Sequence, residues 1–276
     1  METRYSTDRI GYRAMSTSDL RSSFLLENLF KDGELQTVYC EVERAIIGAV
    51  VPKGDKIRLE AGRELAADYF CQRREVGVVN IGEKGTIIVS GTAYTMENLD
   101  CLYIGRGEKE VTFQSANPDK PAKFYISSYP AHTSYPTMHA PRSKAQPLVL
   151  GSLAESNSRT IYKYIHPEGI KSCQLMLGVT ILNEGSIWNT MPAHTHERRT
   201  EVYMYFNMDE NARVFHLLGT PDETRHLVMK NGEAVVSPSW SIHSGAGTKA
   251  YSFVWTMGGE NQEFADMDHV KMETLK

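Results

Sequence analysis

Apolar, β-branched and aromatic residues recur along this chain in runs of five to eleven, bounded by Gly, Pro, Asn or Asp. "VGVVNIG", "GTIIVSG", "CLYIGRG", "VTFQS" and "KFYISSYP" form one such series. "SCQLMLGVTIL", "SIWNT", "TEVYMYFNM", "ARVFHLLG", "RHLVMK", "EAVVS" and "YSFVWTM" form a second from residue 172 onward. Short runs of this kind, with turn residues at close intervals, predict strands. Asn231–Gly232 lies between two of them and predicts a two-residue hairpin. Helical spacing is sparse. "STSDLRSSFLLENLF", residues 16–30, places Leu20, Phe24, Leu25 and Leu29 on one face behind a capping serine, Ser16 or Ser18. "RELAADYFCQRRE" is a candidate for a second short helix. Many short strands and few helices predict a mainly β protein built from barrels or sandwiches.

The two strand series are separated by a weakly periodic stretch rich in Pro, Ser and Ala, "YPAHTSYPTMHAPRSKAQPLVLGSLAESNSRT". This predicts two β domains, residues 1–135 and 161–276, joined by a linker over 136–160. A faint internal repeat supports the division. Residues 98–128 can be laid beside 232–257, with Ile104–Gly105 falling on Ile242–His243.

Composition narrows the class without naming a function. Of 276 residues 41% are hydrophobic and 23% charged, ordinary for a globular protein, and net charge is −4. No basic block interleaved with aromatics suggests nucleic acid. The N-terminus lacks the apolar core of a signal peptide, and the longest apolar run, "AIIGAVV", is too short to span a bilayer. Cys40, Cys71, Cys101 and Cys173 have no CxxC spacing, so reduced, buried thiols in a cytoplasmic protein are expected.

The chemistry is concentrated in "MPAHTHERRTEVYMYF", residues 191–206. Residues i and i+2 of a strand face the same side, so His194 and His196 can point together into a barrel, roughly 6–7 Å apart along the backbone. Glu201, opening the next strand, can swing in as a carboxylate. His243, in "SPSWSIHSGAG", is a fourth candidate. Three imidazoles and one carboxylate, with no thiolate, suit Zn²⁺, Mn²⁺ or Fe²⁺ at a site with an open position. The plain alternatives are a solvated polar turn for the histidine pair, a strand-end charge for Glu201 and a core histidine at 243. If Glu201 faces inward, strand alternation turns Tyr203 and Tyr205 inward too, with Trp188 a further candidate. Tyr203, and His216 from the next strand, are candidate proton carriers. Arg213, Arg225 and Lys249 are available to bind an anionic substrate. His132 and His139 read as structural, or as contacts between domains.

The order HxH, Glu201, then Gly232, Pro238 and His243 is similar to the two-part signature of the cupin barrel. Eight residues rather than five separate Gly185 from His194, and "Pro-Ser-Trp" stands where Pro-x-Gly is common; neither departure touches a ligand. More widely, "RREVGVVNIG", "YIGRG", "PAKFYISS", "PAHTSYPT", "MPAHTHERRTEVYMYF", "SPSWSIHSGAGT" and "FADMDHVKM" occur in an order that closely resembles the 5-keto-4-deoxyuronate isomerase family of bicupins. The resemblance runs nearly end to end. It implies two cupin-type β-barrels, the first without metal ligands. It further implies one Zn²⁺ per subunit at His194, His196, Glu201 and His243, a homohexamer, and a ketol isomerisation of a small uronate in pectin breakdown. An iron-dependent dioxygenase and a non-catalytic sugar-binding cupin are the competing readings of the same ligands.

Overall fold

A computed structural model describes residues 1–276. The chain is mainly β and divides into two compact units. The first holds Met1–Thr3, Asn28–Gln146 and Lys163–Leu177; the second holds Arg4–Glu27, Pro147–Tyr162 and Gly178–Lys276. These units are discontinuous, unlike a sequential division at 135 and 160. The stretch 136–160 carries strands of its own. Met138–Ala140 pairs with Cys101–Ile104, and Pro147–Leu150 pairs with Arg159–Ile165. Short edge strands draw their order from a partner, which a weakly periodic segment does not reveal.

The first unit stacks a seven-stranded sheet on a four-stranded one. The larger runs in the order Glu2–Arg4, Leu35–Cys40, Ile46–Val50, Phe124–Pro130, Arg74–Asn80, Cys101–Ile104, Met138–Ala140. The smaller runs Ile57–Arg58, Val111–Ser115, Gly85–Val89, Thr92–Met96. Val76, Val78, Ile87, Leu102, Phe113 and Phe124 are completely buried in its apolar interior. His139 bonds Asp100 at 3.1 Å within this unit, and at residue 132 the main-chain carbonyl, not the imidazole, accepts from Arg106.

The second unit repeats the plan. Its seven-stranded sheet runs Pro147–Leu150, Arg159–Ile165, Met176–Leu182, Ser252–Gly259, Arg199–Phe206, Ala234–Ser237, Leu25–Leu26. Its four-stranded sheet runs Trp188–Asn189, Ser244–Gly247, Val214–Thr220, Glu223–Met229. Two sheets of one chain with the same sizes and crossovers are the cupin-type jelly roll twice over. Strand order also corrects the repeat read from sequence. Cys101–Ile104 corresponds to Ala234–Ser237, so Gly105 does not answer to His243. His243 immediately precedes Ser244–Gly247, and the residue preceding the equivalent Val111–Ser115 is Glu110. Glu201 pairs with Ser237, the last residue of its strand, just as Val76 pairs with Ile104. Where the second unit has a buried carboxylate, the first has a buried valine.

Two local expectations change. Ser16 caps the helix, accepting from the Asp19 N–H at 3.2 Å while Asp19 accepts from the Ser16 N–H at 3.0 Å. The helix is only Thr17–Phe24, because Leu25 and Leu26 turn extended and pair with Val235 and Ala234. "RELAADYFCQRRE" forms two 3₁₀ turns, Arg63–Leu65 and Phe70–Gln72, before its last residues join a strand. Asn231–Gly232 does make a tight turn, with Gly232 at φ 81°, but it is not a hairpin. The strands it joins lie in different sheets: Glu223–Met229 pairs with Val214–Thr220, and Ala234–Ser237 with Arg199–Phe206.

Candidate metal centre

Four segments of the second unit converge on one point. His194 sits in a two-residue strand, His194–Thr195, opposite Asp268–His269. His196 follows on the loop, its N–H reaching the Ser239 carbonyl at 3.3 Å. Glu201 is the third residue of Arg199–Phe206, flanked by Met257 and Ser237 in the middle of the larger sheet. His243 leaves a turn closed by the Ser241 N–H on the Pro238 carbonyl, 2.9 Å. The ligand atoms of all four lie within 4.8 Å of one another. His194 Nε2 is 3.1 Å from His196 Nε2 and 3.0 Å from His243 Nε2; Glu201 Oε2 is 3.1 Å from His196 Nε2 and 2.9 Å from His243 Nε2. All four side chains are buried, His194 the most exposed at 8%.

Hydrogen bonds at the outer nitrogens decide what the inner ones can do. His196 Nδ1 is 2.6 Å from the Asp266 carbonyl oxygen, which only accepts, so the ring hydrogen sits on Nδ1 and Nε2 carries a lone pair. His243 Nδ1 faces the Ser241 carbonyl at 3.4 Å in the same sense. Burial, and then the neighbouring His243, pushes His194 down to about 2, so it too is neutral near pH 7. For Glu201 burial alone would raise the carboxyl; positive charge where His243 and His196 meet it outweighs burial and holds it well below the usual carboxylate range. Lone pairs and a carboxylate cannot face one another at 3 Å without a positive charge among them. Neutral imidazoles and a carboxylate are ligands for a divalent cation, so this donor set could hold one.

The cluster opens on a cavity of about 340 Å³, within the range of small-molecule sites. His194 and Glu201 are on its wall with Tyr203, Thr190, Arg159 and His269, and Phe253, Trp255, Met257, Phe264 and Met267 make the remainder mostly apolar. Trp255 fits there because residue 178 is glycine: a Cβ at that position would lie 2.2 Å from the indole and 2.6 Å from the Tyr162 carbonyl.

Of the candidate proton carriers, Tyr203 is on the wall, its hydroxyl 2.9 Å from Thr190 Oγ1. Burial first, and the Glu201 charge second, raise it well above the usual phenol range. His216 is fully buried but not on the wall; its Nδ1 bonds the Tyr205 hydroxyl at 2.8 Å, and burial followed by His243 pushes it down to about 3. Tyr205 packs behind Tyr203, while Trp188 pairs with Ala246 away from the cavity. Arg213, Arg225 and Lys249 are not on the wall either: they bond the Ala212 carbonyl, the Met15 carbonyl and Asp209 respectively.

Sequence reading used the C-terminal segment "FADMDHVKM" only as part of the resemblance and gave it no place in the site. Arg199, 1% exposed, donates to the Glu263 carbonyl at 2.7 Å and to the Asp266 carbonyl at 3.0 Å. Arg198 pairs with the Asp266 carboxylate at 2.6 Å and with Asp268 at 2.8 Å. Those bonds hold Phe264, Met267 and His269 against the cavity. The adjacent arginines in "HERRTE" were one signal, but their partners lie more than sixty residues away.

The chain is 54% identical over 276 residues to a 4-deoxy-L-threo-5-hexosulose-uronate ketol-isomerase of Halalkalibacterium halodurans, covering 100% of both chains. It is 50% identical over 278 residues to the protein of that name from Escherichia coli O157:H7, again with 100% of both covered. Among solved structures, an IolB-like protein from Salmonella typhimurium LT2 superposes with a TM-score of 0.74 at 13% identity, over 90% of this chain and 96% of that one. Vicilin from Solanum melongena does so at 0.54 and 11%, over 83% and 77%. These two likenesses show the fold. With its profile matched over residues 24–272, the chain belongs to the KduI/IolB family.

Proposed function

We propose that this chain is a zinc-dependent ketol-isomerase that converts 5-dehydro-4-deoxy-D-glucuronate to 3-deoxy-D-glycero-2,5-hexodiulosonate in uronate catabolism. The observation that carries the reading is the buried cluster of three imidazoles and one carboxylate, opening on a cavity of small-molecule size, in a chain half identical to ketol-isomerases from end to end.

The reaction turns a C1 aldehyde into a hydroxymethyl group and a C2 hydroxyl into a ketone. A proton leaves C2 and one arrives at C1, while the hydroxyl proton passes from O2 to O1. His194, His196, Glu201 and His243 would hold a divalent ion, which would supply Lewis acidity to the carbonyl chemistry. We assign Zn²⁺, one per chain, from the thiolate-free donor set and the family resemblance. Tyr203, kept protonated by its burial, presents an O–H to a substrate oxygen. His269 and Tyr203, on the wall beside the candidate ligands, are placed to carry the proton between C2 and C1. Phe253, Trp255 and Phe264 exclude water, so a proton taken from C2 is kept for return. A homohexamer in the cytoplasm completes the reading, on the family resemblance alone.

Metal content of the purified protein, measured beside turnover of the uronate before and after chelation, tests it. About one zinc per chain, with activity lost on chelation and restored by zinc, is the expected result. Stoichiometric iron with oxygen consumption and no isomerisation would replace it with a dioxygenase. Uronate binding without turnover would replace it with a binding protein.

A further inference from the structure

Arg159 is the only Arg or Lys on the cavity wall, and Glu201 is the only carboxylate there. Glu201 belongs to the ligand cluster, so the guanidinium has no anionic partner inside the cavity. Its one hydrogen bond is from Nη1 to the Asn157 carbonyl at 2.9 Å, and no carboxylate lies within ion-pair distance. Burial lowers it from the usual guanidinium range, with Tyr203 and Tyr251 nearby acting the other way. It is still a cation at neutral pH, half-buried, with donors to spare. An arginine in this condition is unusual, because partly desolvated guanidinium groups ordinarily find a carboxylate.

Its place in the sheet suggests what the partner is. From Arg159–Ile165 the order runs through Met176–Leu182 and Ser252–Gly259 to Arg199–Phe206. Three interstrand spacings, about 14 Å across the sheet, lie between the two strands, and Arg159 is also offset along them. The Asn183 N–H bonds the Ser158 carbonyl and the Leu182 N–H the Tyr251 carbonyl, so Arg159 stands level with Tyr251, whereas Glu201 stands opposite Met257. Thr180, Trp255 and Met257, on the intervening strands, form the floor between them. Arginine and glutamate side chains lean into the one cavity from its opposite ends, so an extended acid held by one can present its far end to the other.

We infer that Arg159 is the anion-binding residue of this cavity, taking the terminal carboxylate of an open-chain uronate in a bidentate pair while the opposite end of the substrate lies at the histidine and glutamate cluster. The inference rests on the uronate reading above and adds to it. A guanidinium matches a carboxylate with two parallel N–H···O bonds, and in an apolar cavity that pair fixes both position and direction. It decides which end of the molecule meets the cluster, and it makes the site select acids over neutral sugars. Unlike a group in the reacting centre, Arg159 acts through binding, so its loss falls on KM.

The test uses the metal-loaded protein and the variants Arg159→Met and Arg159→Lys, each checked for metal content and thermal stability. Turnover of the uronate is measured together with binding of two non-isomerising probes by saturation-transfer NMR: L-gulonate, a six-carbon acid, and D-glucitol, its neutral counterpart. Arg159→Met is expected to raise KM roughly 10- to 100-fold with a smaller change in kcat. It should also abolish the preference for L-gulonate over D-glucitol, and Arg159→Lys should restore part of that preference. An unchanged KM and an unchanged preference in Arg159→Met would overturn the inference. So would a wild-type protein that shows no preference for the acid, or an Arg159→Lys variant that loses both probes equally, since the arginine would then serve the Asn157 turn. If Arg159→Met does not fold, Arg159→Lys against wild type decides by the same probes. Should wild type bind the acid through Arg159 but fail to isomerise the uronate, the proposed reaction falls and the anion site stands.

Discussion

His196 donates its Nδ1 hydrogen to the main-chain carbonyl of Asp266, 2.6 Å away and seventy residues further along the chain. That bond turns the other nitrogen, with its lone pair, toward Glu201 and His194. Arg199 donates to the same carbonyl at 3.0 Å, so the orientation of one candidate ligand depends on where the C-terminal segment lies. Outer partners of this kind tune metal affinity by about 10- to 100-fold. Arg199→Met should weaken metal binding by that amount while leaving all four ligands in place. Competition with a chromophoric chelator measures it. An affinity equal to wild type would mean that the segment holds the cavity wall but not the ligand.

Removal of a ligand should be more severe. Glu201→Gln keeps the shape but loses the charge that balances a divalent cation, and His243→Ala leaves a three-donor set. Each should lower bound metal well below one equivalent and activity by at least about 100-fold. Because a metal binds the folded chain far better than the unfolded one, chelation should also lower the melting temperature of wild type. In Glu201→Gln that chelator effect should be absent. Full metal occupancy in either variant would take that residue out of the ligand set.

His216 gives a pH dependence unconnected with turnover. It is completely buried, and burial pushes it down to about 3, against 6.5 when exposed. Above pH 6.5 neither folded nor unfolded chain protonates it, and its contribution is constant. As pH falls below 6.5 the unfolded chain takes up a proton that the folded chain refuses, so stability is lost progressively until about pH 3. One such group gives a slope of about 1.4 kcal/mol per pH unit. Urea unfolding of the chelated protein at pH 7 and pH 5 should show the loss, and His216→Gln should reduce it. An equal slope in the variant would place the acid sensitivity elsewhere.

Gly178→Ala tests the packing of the cavity floor. The added methyl would meet the Trp255 ring at 2.2 Å and the Tyr162 carbonyl at 2.6 Å, and neither is the free end of a flexible side chain. Overpacking of this kind costs about 1–3 kcal/mol, and here the indole must also move into the cavity. The variant should melt at lower temperature, show altered tryptophan fluorescence and bind substrate more weakly. Unaltered fluorescence and KM would mean that the sheet yields at Gly178 and the indole does not.

The strand texture, the helix cap at Ser16 and the convergence of His194 and His196 were all legible because they depend on neighbours within a few residues. Period-two alternation brings an HxH pair together wherever the backbone is extended, and a serine three residues ahead of an aspartate closes a capping box locally. Glu201 and His243 were legible for a different reason, their resemblance to a known pattern of spacing.

Other features depend on which distant segments the fold brings together. Asn231–Gly232 makes a turn, but whether a turn closes a hairpin or passes between sheets is set by the partners of the flanking strands, not by the turn itself. Residues 4–27 fall in the second unit because Tyr12 is buried there, bonded to Thr220 and the Glu223 carbonyl more than two hundred residues away. The Asp266 carbonyl carries no side-chain identity, so no residue type could announce its bond to His196. Arg159 was one of thirty basic residues in the chain, and only the strand order puts it on the cavity wall, across two strands from Glu201. By itself the sequence determined the strand-rich texture and the candidate ligand residues, since local spacing, side-chain chemistry and a known pattern of spacing suffice for those. Tertiary structure decided the orientation of the ligands and the charge facing them, because contacts between residues far apart in sequence are settled by the packing of whole sheets.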